Sequence, residues 1–324
     1  MPAALLISNT TDPWTEWVAR AITARGGTPL TLNLDRYPEA FQLGLGAGGA
    51  TIRIDGRLWR EDELSAVWGR RPELPRAVSM DLPELTRRFM LAECERAVMD
   101  WLAALHVPHV DDNFVARIAA NKPRQIRDAA GFGFTLRPTW LGNDPDEARA
   151  FIQSQPGHVI AKPFTPASAP DGAVFANRLS AEDIEAIDTL DTCPMIFQAE
   201  VVGRRWEARV TLIGDRVIPV ALDAVITKDK PDFRRTFDQD WKVVEPPEAI
   251  VQSCIQMADA YGLQYAAYDF IVTEDGEWVF LELNPVGECF WLDEIGLDAS
   301  GAIAELLLNP AERGRPGARW AAMR

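Results

Sequence analysis

Apolar residues along this chain fall into short runs divided by turn residues, and their spacing alternates between continuous and helical. The run Ala3 to Ile7 is unbroken, as a strand buried on both faces requires. Asp12 and Pro13 then open a helix that Gly26 and Gly27 close, and Thr28 to Leu34 is a second strand. Strand, helix, strand predicts a parallel α/β beginning. ATIRIDGRLWR alternates about Asp55-Gly56 as a hairpin, and Leu64 to Trp68 is another strand. Glu84 to Leu105 carries apolar residues at helical spacing, and HVPHVDDN, followed by helix signals, marks a boundary near Asn113.

A second unit opens with a helix, continues through a strand from Val159 to Ala161 and contains the loop TPASAPDG. The third unit is richest in strands: Arg205 to Ile213, Val217 to Val225, Tyr265 to Thr273 and Glu277 to Leu283, with a helix from about Pro247 to Tyr261 between the pairs. The pattern predicts an α/β protein divided as an N-terminal α/β domain over 1–113, a central unit over 114–200, a C-terminal unit over 201–310 and a loosely held tail over 311–324.

Composition narrows the partners. With 324 residues, 47% of them hydrophobic, the chain can bury a large core and exceeds the usual size of one domain. A formal net charge of −15 repels a phosphate backbone, which argues against nucleic acid and anionic membranes, so an anionic ligand must meet a local cluster of Lys and Arg. Cys94, Cys193, Cys254 and Cys289 are widely scattered, as suits buried thiols in a reducing compartment. MPAALLIS is too short for a signal peptide and no later run approaches a membrane span, so a soluble cytoplasmic protein is expected.

The hairpin YAAYDFIVTEDGEWVFLELNP carries the most chemistry. Asp275-Gly276 is a two-residue turn signal, and if Glu274 pairs with Glu277, counting outward sets Asp269 opposite Glu282, with Asn284 on the same face two residues on. Carboxylates about 5 Å apart across one rung repel each other. A divalent cation removes that repulsion, and two carboxylates with an amide oxygen suit Mg²⁺, which keeps other positions for water and substrate phosphates. An exposed edge would tolerate these acids without a cation. The flanking Phe270, Ile271, Val279, Phe280, Leu281 and Leu283 make this a core hairpin instead, where acids need a partner.

Two lysines stand out. Asn121 can cap a helix with Pro123 in its first turn, and Lys122 there opposes the helix dipole, a penalty of tenths of a kcal/mol that a bound phosphate reverses. Lys162 ends the apolar strand HVIAK before Pro163, and a partly buried ammonium needs an anion. Gly44, Gly46 and Gly49 match G-x-G-x-x-G but open no helix, so they fail the context of a dinucleotide site and read as a flexible loop. His106 and His109 lack a third ligand, and no Ser-His-Asp or Cys-His motif is present.

Lys122 and Lys162, about 40 residues apart, are followed by IFQAEVVGRRWEARVTLIGD and then DFIVTEDGEWVFLELNPVGE. In this order the segments resemble the ATP-grasp superfamily over roughly residues 115 to 310. AVWGRRP (Ala66 to Pro72), WEARVTLIGD and ELNPVGE are similar to the microviridin-type peptide ligases, the graspetide synthetases, and extend the similarity to nearly the whole chain. The resemblance implies an α+β ATP-grasp fold of central and C-terminal subdomains behind the N-terminal domain, with ATP and Mg²⁺ as cofactors. It assigns Lys122 and Lys162 to the nucleotide phosphates, Gln198, Ala199, Glu200 and Val201 to the adenine edge, and Glu207 to the ribose. It assigns Asp269, Glu282 and Asn284 to magnesium, Arg209 to the transferred phosphate, and Arg234 or its neighbour Arg235 to the acceptor side. The covering loop TPASAPDGAV has Gly172 as its one glycine, and the hinge reads QAE where relatives often have an acid directly after the Gln.

The implied reaction is ADP-forming phosphorylation of a side-chain carboxylate in a ribosomal precursor peptide, leader plus core, followed by attack of a hydroxyl or amine to give an ester or amide crosslink. A homodimer is compatible with it. The competing readings are a RimK-like ligase that adds amino acids to a carboxyl terminus and an inactive nucleotide-binding scaffold.

Overall fold

The computed structural model describes residues 2–70, 75, 78–111, 113–164, 167–169, 172–174, 176–224 and 240–310. The opening strand Ala3–Ser8 lies between parallel neighbours Thr28–Asn33 and Leu64–Gly69, with the short strand His109–Val110 beyond the latter. This is the parallel beginning that its unbroken apolar run predicts, since both faces are covered. One face packs with the helix Glu84–Ala103 through Leu5, Ile7, Val98, Trp101 and Leu102. The other packs with the helices Thr15–Ala24 and Ala299–Leu308: Leu6, Val18 and Ile22 share one core with Ile213, Val220, Ile303 and Leu306. The first and last helices of the described chain are therefore packed together, a contact that local sequence patterns do not reveal.

A three-stranded meander, Phe41–Gly46, Gly49–Ile54 and Arg57–Arg60, packs into the core of this unit through Phe41, Ala50, Ile52 and Trp59. Its second turn is the hairpin expected at Asp55-Gly56, both residues having positive φ. Its first overturns an expectation: Gly44 and Gly46 lie in a strand and Gly49 starts the next, so the glycine-rich segment is a hairpin and not a flexible loop. Gly44 is fixed there by close approach. A Cβ on it would meet Thr51 Oγ1 at 2.7 Å, and its carbonyl accepts a 2.9 Å hydrogen bond from Trp101 Nε1.

Further along, an antiparallel four-stranded sheet runs Asn177–Arg178, Val159–Lys162, Met195–Ala199, Thr139–Gly142. Ala167–Ala169 and Gly172–Val174 pair as a small antiparallel hairpin of their own. The last sheet has five antiparallel strands in the order Lys242–Val243, Arg216–Asp223, Arg204–Ile213, Tyr265–Thr273, Trp278–Asn284. Alternation along its strands separates two faces. Ala208, Val210, Leu212, Tyr268, Phe270 and Phe280 pack on the helix Glu248–Tyr261, while Glu207, Arg209, Asp269 and Ile271 occupy the other face. Among the described residues no helix is long and apolar enough to cross a membrane.

Candidate active site

The Asp269/Glu282 rung forms by a route that sequence counting does not foresee. The turn is one residue longer than a two-residue Asp-Gly hairpin: the Thr273 amide donates to Glu277 O at 3.0 Å, the Gly276 amide donates to Thr273 O at 3.0 Å, and Gly276 has φ 87°. Val272, Ile271 and Phe270 accordingly face Trp278, Val279 and Phe280, a register that would set Asp269 opposite Leu281. A β-bulge after Phe280 shifts the pairing back by one residue, so Asp269 faces Glu282 and Ala267 faces Asn284. The bulge also changes faces. Trp278 and Phe280 pack on the helix side, Leu281 sits with Val201, Ile271 and Val279 on the opposite side, and Leu283 returns to the helix side. Without the bulge, Glu282 would share the buried face of Phe280.

Cations already flank the two carboxylates. Arg209, directly across from Asp269 on the neighbouring strand, donates from Nε to Oδ1 at 2.7 Å and from Nη2 to Oδ2 at 2.9 Å, a two-pronged pair that is almost wholly buried. Burial opposes the guanidinium charge and Asp269 more than offsets it, so the Arg209 pKa is raised. Lys122 Nζ donates to Glu282 Oε2 at 2.9 Å. Burial pushes the Glu282 carboxyl up, but the Lys122 and Lys162 charges outweigh it and hold the group down at about 2. Asn284 Nδ2 donates to Asp269 Oδ2 at 3.0 Å and to Glu282 Oε1 at 3.2 Å. Three cations thus surround two anions, an excess of one positive charge in a chain of net charge −15, which suits an anionic ligand.

Lys122 is set by its helix, Lys122–Ala129, which Asn121 caps by accepting the Arg124 amide at 2.9 Å. Gln125, one turn on, was not singled out in the sequence although it locks this helix to the carboxylate strand. It donates from Nε2 to Leu283 O at 2.8 Å and to Ala119 O at 2.7 Å, and its Oε1 accepts the Leu283 amide at 3.0 Å. Leu283 lies between Glu282 and Asn284, so one buried amide side chain fixes Lys122 against both.

Lys162 ends its strand as expected and donates to Gln198 Oε1 at 3.1 Å, and Gln198 Nε2 donates to Thr139 Oγ1 at 2.9 Å. In the following segment the Ala199 and Glu200 amides are committed to the carbonyls of Pro138 and His158, so any purine contact from these two residues must use other groups. Glu200 forms a two-pronged pair with Arg178, and Glu207 pairs with Arg204. Val201 is buried in an apolar shelf with Ile271 and Val279 on the face that carries Arg209 and Asp269. Arg234 and Arg235, expected on the acceptor side, lie outside the described residues.

The segment after Asn284 is held by three consecutive carbonyls. Val286 O accepts from Arg70 Nη1 at 2.7 Å, Gly287 O from the Tyr265 hydroxyl at 2.7 Å, and Glu288 O from Arg209 Nη1 at 3.1 Å. Arg70, the first arginine of AVWGRRP, is buried and faces Asp12 at 3.3 Å, so the N-terminal sheet braces the loop beside the site. A Cβ on Gly287 would approach Asn284 Cβ to 3.2 Å, which accounts for the glycine in ELNPVGE. Cys289 is no nucleophile here: burial pushes its thiol up to about 12.

Among the described residues no group of three or more His, Cys, Asp or Glu side chains gathers. A metal at this rung would therefore rest on two carboxylates and one amide, a hard-oxygen set that fits Mg²⁺ and leaves positions for water and phosphate. The Asn284 amide donates to both acids, so it must turn its oxygen inward to join such a set.

Residues 3–117 match the family model described as the MvdD pre-ATP grasp domain. No curated protein matches the chain in sequence. Among solved structures the chain is similar to the macrocyclase MdnC of Microcystis aeruginosa MRC bound with precursor peptide MdnA, at 28% identity over 95% of this chain and 99% of that one, TM-score 0.83. It is also similar to a Chryseobacterium gregarium RiPP-associated ATP-grasp ligase in complex with ADP and a leader and core peptide, at 27% identity over 98% and 99%, TM-score 0.88. The ATP-grasp ligase PsnB, complexed with minimal precursor, Mg and ADP, shares the fold at 23% identity over 94% and 96%, TM-score 0.75.

Proposed function

We propose that this chain, which belongs to the ATP-grasp superfamily and resembles the microviridin-type peptide ligases, uses ATP to phosphorylate a side-chain carboxylate of a ribosomal precursor peptide and then joins that carboxylate to a hydroxyl or amine of the same peptide. The observation that carries this reading is the Asp269/Glu282 rung, flanked by Arg209 and Lys122 and turned by a bulge onto the face of the sheet opposite the helix Glu248–Tyr261.

In this reading the nucleotide lies between the units 114–200 and 201–310. Lys122 and Lys162 hold its phosphates, the segment Gln198, Ala199, Glu200, Val201 borders the base beside the apolar shelf, and Glu207 faces the ribose. Mg²⁺ bound by Asp269, Glu282 and Asn284 would neutralise charge developing on the phosphates. Arg209, fixed by Asp269 and by the Glu288 carbonyl, presents a preorganised positive charge to the phosphoryl group in transit. Arg234 serves the acceptor side. The nucleophile comes from the peptide, in keeping with a buried, protonated Cys289 and the absence of a triad motif.

A RimK-like ligase would use the same cluster, so the acceptor distinguishes the two readings, and the complete set of lysines and acids argues against an inactive scaffold. The test is nucleotide chromatography with hydroxylamine present: peptide-dependent release of ADP and phosphate, with part of the peptide trapped as a hydroxamate, supports an acyl phosphate. Release of AMP and pyrophosphate rejects it.

A further inference from the structure

The segment from Pro285 to Cys289 joins the carboxylate strand to the helix Trp291–Glu294, and its own turn bond, from the Gly287 amide to Asn284 O, is long at 3.4 Å. Its place depends on side chains that donate to its carbonyls. Arg70 holds Val286 O and Tyr265 holds Gly287 O, at 2.7 Å each, while Arg209 reaches Glu288 O, an acceptor that Trp291 Nε1 shares at 3.3 Å.

Arg70 and Tyr265 are themselves fixed from elsewhere in the fold. Arg70 follows the strand Leu64–Gly69, where its amide donates to Ile7 O at 2.7 Å, and its Nε lies 3.3 Å from Asp12 Oδ2. The Ser8 and Thr15 hydroxyls and the Trp14 amide orient Asp12 in turn, at 3.2, 3.3 and 3.2 Å. The Tyr265 amide donates to Asp111 Oδ2 at 2.9 Å. Burial pushes the Tyr265 hydroxyl well above its ordinary pKa, so it stays a donor.

Arg209 needs this support because its other anchor has a second task. Both of its bonds to Asp269 use oxygens that a metal at the rung would also use. A carboxylate shared with a cation holds the guanidinium less firmly, whereas Glu288 O keeps its grip. Misplacement of such a group by about 1 Å costs on the order of 10²-fold in rate.

We infer that Arg70 and Tyr265 are positioning residues for the phosphoryl transfer, acting on Arg209 through the backbone from Val286 to Glu288, an inference that rests on the function proposed above. Arg70→Lys keeps the charge facing Asp12 and loses the fork, and Tyr265→Phe removes a single oxygen. Hydrogen exchange by mass spectrometry, without nucleotide or peptide, should show in both variants faster exchange confined to residues 284–292. With precursor peptide, ATP and Mg²⁺, kcat for ADP release should fall about tenfold in each, with KM for ATP within about twofold of wild type. The double variant should lose less than the product of the single losses, because both residues act through one segment. Unchanged kcat in Tyr265→Phe overturns the inference even if Arg70→Lys fails to fold. So do multiplicative losses, and so does exchange that is unchanged or rises throughout the chain. A wild-type enzyme that releases no ADP with peptide rejects the proposed function and the inference with it, so the wild-type control tells the two failures apart.

Discussion

Replacing Gln125 tests how the Lys122 helix is fixed to the acidic strand. Gln125 is 2% exposed and spends its side-chain amide on three hydrogen bonds of 2.7 to 3.0 Å, two of them to the buried Leu283 backbone. Gln125→Leu keeps the volume and removes every partner. The Leu283 amide and carbonyl are then left buried without side-chain partners, at roughly 1–3 kcal/mol each, and the apolar gain of leucine recovers part of this, for a net loss of about 3 kcal/mol. Urea unfolding measures it, with Arg127→Leu on the exposed side of the same helix as a control expected within about 0.5 kcal/mol of wild type. Because Lys122 sits one turn earlier, the folded variant should also bind ADP more weakly, by about tenfold in calorimetry. A stability loss below about 1 kcal/mol together with unchanged ADP affinity would refute the reasoning.

Four further substitutions probe the rung and the lysines beside it. Glu282→Gln should abolish ATP turnover at a modest cost in stability, and near-normal turnover would contradict its metal role. Asp269→Asn removes the carboxylate charge that Arg209 needs, so turnover should fall and unfolding should become easier by about 3–5 kcal/mol, the cost of leaving a buried ion without its partner; stability equal to that of Glu282→Gln would count against the buried pair. Lys122→Met should weaken ATP binding and Lys162→Met should do so independently, and calorimetry showing both unchanged returns the lysines to structural roles.

The parts of the fold governed by local pattern were legible in the sequence. The unbroken Ala3 to Ile7 run, the Asp55-Gly56 turn and the Asn121 cap depend on neighbouring residues and came out as their chemistry predicts. The Asp269/Glu282 pairing was reached by counting from a turn that is one residue too short, and the bulge after Phe280 supplied the missing residue. Bulges follow from packing on both sides of a sheet, so two adjacent residues, Leu281 and Glu282, could share a face without any local signal. Gln125 reads as an ordinary helical residue, since its partners lie at Leu283 in another element. Arg70 was visible only as part of AVWGRRP, because the Val286 carbonyl it holds is distant in sequence. The packing of Thr15–Ala24 on Ala299–Leu308 likewise joins the two ends of the described chain.

The most direct test of the central claim is the intact mass of the cognate precursor peptide after incubation with the enzyme, ATP and Mg²⁺. A crosslinking ligase should remove one water mass per bond formed, since a carboxylate and a nucleophile of one peptide condense, and Glu282→Gln should leave the peptide unchanged. A gain in peptide mass by one residue per turnover would contradict the account and assign the cluster to an amino-acid ligase.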